Sequence, residues 1–144
     1  MKRLLQSVFC IGFFCAFIAQ AQLAVTVSPL KVTGQKAIVP LALKNNFPEQ
    51  IESARAVVFL LDEQGKAVGQ PTTRWVIGGS EAKPGLAAGA TNAFYFVLPL
   101  AETNSRQSVP SVPTNLTAKV SFTRVVLEGG KLADVNQAVQ IVFP

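Results

Sequence analysis

The stretch Ile51-Glu52-Ser53-Ala54-Arg55-Ala56-Val57-Val58-Phe59-Leu60-Leu61-Asp62-Glu63-Gln64-Gly65-Lys66 decides the fold. Its first two thirds are rich in β-branched, aliphatic and aromatic residues, which suit a pleated, partly buried strand. Its last third is turn chemistry. Asp62 at its start and Gly65, which tolerates the positive φ that closes a hairpin, supply it. A strand over 51–62 therefore turns at Gly65 and returns through 67–70.

Similar signals recur on both sides. Upstream, residues 23–29 and 30–33 read as one strand broken at Pro29, where a missing N–H suits an edge position. A second strand covers 36–45. Downstream, 72–77 is closed by Gly78-Gly79 and a loop over 80–89. The strand 91–98 then alternates, with Phe94, Phe96 and Leu98 on one face. Pro99, Pro110 and Pro113 mark 99–115 as a long crossover loop. Residues 116–128 and 131–143 read as a last hairpin across Gly129-Gly130. No window of eleven or more residues carries a helical apolar period with caps. The class is all-β: an antiparallel immunoglobulin-like or fibronectin-III-like β-sandwich of seven to nine strands. A small barrel is the alternative.

Asn45 at a strand end, Val58-Phe59-Leu60-Leu61-Asp62 before the Gly65-Lys66 hairpin, and Gly89 ahead of a Phe-bearing strand carry a family resemblance. Between 36 and 98 the chain resembles the bacterial FxLYD-type immunoglobulin-like domains, with Val58 in place of the Phe and Leu61 in place of the Tyr. The resemblance implies an immunoglobulin-like fold and an accessory, adhesive or spacer role, with no shared catalytic residues.

Residues 1–21 read as a cleaved signal peptide. Lys2 and Arg3 give a basic start, residues 4–19 carry no charge, and Ala19-Gln20-Ala21 places small residues at −3 and −1. This expects a single domain over 22–144, periplasmic or secreted, with no integral membrane segment after cleavage. Both cysteines, Cys10 and Cys15, lie in the leader, and neither has the flanking residues of a lipid-modified site. Processing lowers the net charge of +5 by two. Lys31, Lys36, Lys44, Lys66, Lys83, Lys119 and Lys131 are scattered singly, so no nucleic-acid surface is expected.

The sequence contains no His, which removes the commonest general base and metal ligand. The eight acidic residues sit mostly in turns without calcium-loop spacing, so no metal and no cofactor is expected. Ser80-Glu81-Ala82-Lys83 has the S-x-x-K spacing of penicillin-binding enzymes, but it lies between Gly78-Gly79 and Pro84-Gly85 without a helix or a K-T-G partner. Asn115-Leu116-Thr117 is a formal glycosylation sequon with no consequence in a bacterial chain. Phe47-Pro48 reads either as a lid tucked onto the core or as an exposed tip.

The expected role is a non-enzymatic protein-interaction or structural module of the bacterial envelope, whose partner is another envelope protein or a second copy. The alternative is a pilus or secretion assembly accessory that exchanges a strand. The candidate contact residues are Val57, Phe59 and Leu61, which point outward if Ala54, Ala56, Val58 and Leu60 point inward. Val125 and Leu127 extend this stripe, and the single Trp75 serves either as packing or as a contact. A loop over 99–115 folded across the stripe is the competing reading. Intact-mass analysis of exported protein should show a chain starting at Gln22, partly cyclised to pyroglutamate; a product retaining Met1 contradicts the leader.

Overall fold

The computed structural model describes residues 22–100 and 115–143; the expected leader at 1–21 and most of the expected crossover loop, 101–114, lie outside the described residues. Among the described residues there are nine strands: β1 Leu23–Val27, β2 Lys31–Thr33, β3 Lys36–Asn45, β4 Ile51–Leu61, β5 Ala67–Ile77, β6 Thr91–Pro99, β7 Thr117–Leu127, β8 Lys131–Leu132 and β9 Val139–Val142. A 3-10 turn covers Glu128–Gly130, and one α-helical turn, α1, covers Val135–Ala138.

The strands form two sheets. In the first, β6 pairs with one side of β3, while β1 and β2 pair in succession with the other, and β9 adds to β1. The break between β1 and β2 falls at Pro29, as the missing N–H dictates. The second sheet runs β5-β4-β7-β8. Every pairing is antiparallel except β1 with β9. The described strands do not close into a barrel.

Alternation builds the core. Ala37, Val39, Leu41 and Leu43 of β3, with Phe96 and Leu98 of β6, project from the first sheet. They meet Ala54, Ala56, Val58 and Leu60 of β4, with Ala118, Val120 and Phe122 of β7, from the second. All of them are buried. Burying one such large aliphatic or aromatic side chain contributes about 1.5–3 kcal/mol. The inward assignment of the four β4 residues is therefore as the sequence pattern expects. The hairpin after β4 is as expected too. Asp62 Oδ1 accepts from Gln64 N and Lys66 N, each at 2.9 Å, and Gly65 has φ +76°.

Two expectations need correction. Residues 67–70 and 72–77 are one strand, β5, in which Gly69 at φ +72° and a register shift carry the chain past Pro71. Residues 131–143 are not the second arm of a hairpin. Only β8 returns along β7, through Val126–Leu132 and Leu127–Lys131. Asp134 then caps α1, accepting from Asn136 N at 3.0 Å. That turn redirects the chain to the other sheet, where β9 lies parallel to β1.

Asn45, at the end of β3, is the buried polar residue among the described ones. Its Nδ2 donates to Glu49 O and Leu86 O, both at 2.9 Å, and its Oδ1 accepts from Phe47 N at 2.9 Å. Its backbone N–H donates to Ala90 O, and its carbonyl accepts from Gly89 N. Phe47 is thereby held as a lid on the core, 5% exposed. Asn45→Ala removes the partners of the buried Phe47 N–H and of the part-buried Glu49 carbonyl, each costing about 1–3 kcal/mol when unpaired, while Leu86 O keeps its bond from Ile51 N. Urea unfolding of that variant should show a loss of about 2 kcal/mol or more; an unchanged midpoint contradicts the role of Asn45 at the β3 end.

Candidate interaction surface

Alternation that sends one side of each strand into the core sends the other to an outer face. On the β4 sheet, Val57, Phe59 and Leu61 do point outward, and all three are half-buried. Their cross-strand neighbours explain why. Val57 lies between Thr73 and Ser121, Phe59 lies opposite Lys119, and Leu61 lies between Ala67 and Thr117. In a central strand these flanking side chains, including the aliphatic stem of Lys119, cover much of the apolar row.

Val125 and Leu127 do not extend that row. They are 0% and 6% exposed and belong to the core. Opposite β4, Arg55 pairs with Arg124 and Ala56 pairs with Phe122, so Thr123 is an extra residue on β7. A bulge of this kind reverses the side to which every later residue points. Thr123 Oγ1 donates to Arg55 O at 3.3 Å across it. Inward positions therefore change from 118, 120 and 122 to 125 and 127.

Trp75 is half-buried on the edge strand β5 and works as packing. A Cβ on Gly79 would approach the indole to within 2.4 Å, so the glycine backbone, at φ +81°, lies directly against the ring. The Arg55 guanidinium lies 5.6 Å from the ring centroid. Lys83 Nζ donates to Trp75 O at 3.0 Å and sits 4.8 Å from the Phe94 ring centroid. Its amine thus serves the sandwich edge; Ser80 and Lys83 meet only through their backbones, in a tight turn.

The larger apolar exposure is on the opposite sheet. Tyr95 is 62% exposed and Val97 50%, both on the edge strand β6. Tyr95 pairs with Pro40, Val97 with Ile38, and Ala93 with Ala42, all pointing outward. These six residues form an uncharged patch across two strands. Lys36 and Lys44, at the ends of β3, rim it. Val142 of β9, 49% exposed, continues the face beyond Thr26. No run of consecutive apolar residues marks this surface in the sequence. Here the apolar side chains alternate with core positions on two strands distant in sequence.

Elsewhere, a cleft of about 290 Å³ opens beside the Pro29 break, lined by Val27, Leu30, Leu116, Ala118 and Phe143 among others, with no charged side chain. Among the described residues no group of three or more acidic side chains is placed to hold a metal ion, and no helix is long and apolar enough to cross a membrane.

No family model matches the chain, and no curated protein matches it significantly. Solved structures with similar backbones include a Bordetella pertussis protein described as ApaA, at 17% identity and a TM-score of 0.51, covering 77% of this chain and 84% of that one. IrmA from Escherichia coli aligns over 85% of this chain and 92% of its own at 13% identity, with a TM-score of 0.45. The first likeness concerns the fold alone.

Phe59→Lys removes a half-buried ring and places a second cation opposite Lys119. It should lower stability by about 1–3 kcal/mol while the domain stays folded. Complete loss of the cooperative urea transition would instead mean that Phe59 is covered as a core residue is.

Proposed function

We propose that this protein is a non-enzymatic interaction module of the bacterial cell envelope, a β-sandwich of immunoglobulin-like type that works by contact through β6 and the outer face beside it. The observation that carries this reading is the uncharged patch formed by Ile38, Pro40, Ala42, Ala93, Tyr95 and Val97, with its two most exposed large side chains on an edge strand. Contiguous exposed apolar surface with a polar rim is the usual mark of a protein contact. The leader-like residues 1–21 support a contact made outside the cytoplasm. The partner is another envelope protein or a second copy. Strand exchange in an assembly system is a second reading, favoured by the same free edge of β6.

A photo-reactive residue at position 97, installed in exporting cells, should give covalent protein adducts on illumination, and the same residue at position 59 should give few or none. Equal yields from the two positions, or no adduct from position 97, contradict the assignment of the contact to β6.

A further inference from the structure

Each sheet has two edges, and three of the four carry devices that discourage pairing with another chain. On β5 there are Pro71, Gly69 at positive φ, and register shifts, and the Lys83 amine covers the Trp75 carbonyl. On β7 there are the bulge at Thr123, the cations Lys119 and Arg124, and the short partner β8 at one end. At β9 the edge is only four residues long. Short strands, bulges, prolines and edge lysines are the recognised ways of blunting an unpaired edge.

The fourth edge has no bulge, internal proline or charged residue within its length; the Lys83 amine lies 4.8 Å from its Phe94 ring centroid and Asn92 Oδ1 accepts from its Ala93 N–H. Thr91-Asn92-Ala93-Phe94-Tyr95-Phe96-Val97-Leu98-Pro99 carries no charge, and its single proline is the terminal residue. Its register with β3 runs without a shift from Lys44–Thr91 to Lys36–Pro99. No described strand pairs with its other side. In an antiparallel ladder alternate residues point their N–H and C=O groups away from the existing partner, so β6 turns a row of donors and acceptors about 30 Å long outward; within it the Ala93 N–H is held by Asn92 Oδ1 at 2.9 Å and must leave that side chain for a ladder to run through.

The side chains on this edge are also symmetric in order. About Tyr95, the sequence Ala93-Phe94-Tyr95-Phe96-Val97 reads small or branched, aromatic, aromatic, aromatic, branched in either direction. We infer that the occupant of this edge is a second copy of the chain, paired β6 to β6 in antiparallel fashion about a two-fold axis through Tyr95. This deepens the proposed function and rests on its assignment of the contact to β6. In this register Tyr95 faces Tyr95 of the other copy. Phe94 faces Phe96 on the inner side, and Ala93 faces Val97 on the outer side. Residues directly opposite share a face, so apolar meets apolar on both. No like charges oppose each other along the strand. The two five-stranded sheets then continue across the axis as one sheet. A cross-strand aromatic pair adds about 0.5–1.5 kcal/mol beyond its buried area, and the backbone ladder supplies the rest.

The two-fold makes a specific demand, because residue 95 must sit opposite itself. Tyr95 is 62% exposed, so charged replacements there are compatible with folding, which circular dichroism and the urea midpoint check. Sedimentation of purified wild-type protein should show a concentration-dependent monomer–dimer equilibrium. Tyr95→Lys and Tyr95→Glu should each weaken dimerisation by roughly tenfold or more, as like charges meet at the axis. An equimolar mixture of the two should restore a dimer containing one copy of each. A mixture no stronger than either variant alone overturns the two-fold pairing, as does a dimer indifferent to both substitutions. A wild-type protein that stays monomeric while position 97 still crosslinks to a different protein overturns the self-pairing and leaves the β6 contact surface standing. A monomer with no adduct at position 97 overturns both.

Discussion

The five hydrogen bonds of Asn45 fix the end of β3, and most of the molecule is positioned from that point. β3 is the one strand that touches β1, β2 and β6, so its register sets the first sheet. Beyond Asn45 the chain must leave that sheet and cross to β4. The side-chain amide ties the crossing segment, at Phe47 and Glu49, to the loop that precedes β6, at Leu86. An apolar side chain of similar size would fill the space but leave buried backbone groups unpaired, and that penalty makes the position specific. Asn46 N, donating to Gln22 O at 2.7 Å, closes the same corner onto the start of β1.

Much of this frame was legible from residue order alone. Strand β3 lies where its alternation places it, β1 and β2 part at Pro29, and the β4 hairpin is built by Asp62 and Gly65 as their chemistry requires. What escaped the reading depends on backbone events with no local signature. The extra residue Thr123 reverses the direction of Val125 and Leu127 without changing their hydrophobicity, so the run Val125-Val126-Leu127 looks the same whether it faces the core or solvent. Asp134 does signal a helix start, but the turn it caps is four residues long, below the length at which a helical period becomes visible. The return of the last strand to the other sheet is a tertiary choice that the hairpin signal Gly129-Gly130 conceals.

The candidate surface shows the same asymmetry between local and non-local information. A stripe of consecutive apolar residues on β4 drew attention, yet a central strand is flanked on both sides, and Thr73, Ser121, Lys119 and Thr117 cover its outer row. The exposed patch draws on β3 and β6, whose apolar residues alternate with core residues and pair across about 55 positions of sequence. An edge strand also has neighbours on one side only, which is why Tyr95 and Val97 stay open while Phe59 does not. With its other edges blunted by a proline, a bulge or brevity, the sandwich leaves β6 as the place where another chain can add with a regular ladder.

Self-pairing through β6 requires that its outward amides acquire hydrogen-bond partners when molecules meet. Residue-resolved hydrogen exchange, followed in dilute and in concentrated solution, reads this directly. The prediction is that the outward amides of Tyr95 and Val97 exchange quickly when dilute and become protected on concentration, while the edges of β5 and β7 are unchanged. Exchange in β6 that is independent of concentration, or protection that appears at β5 or β7 instead, would contradict it.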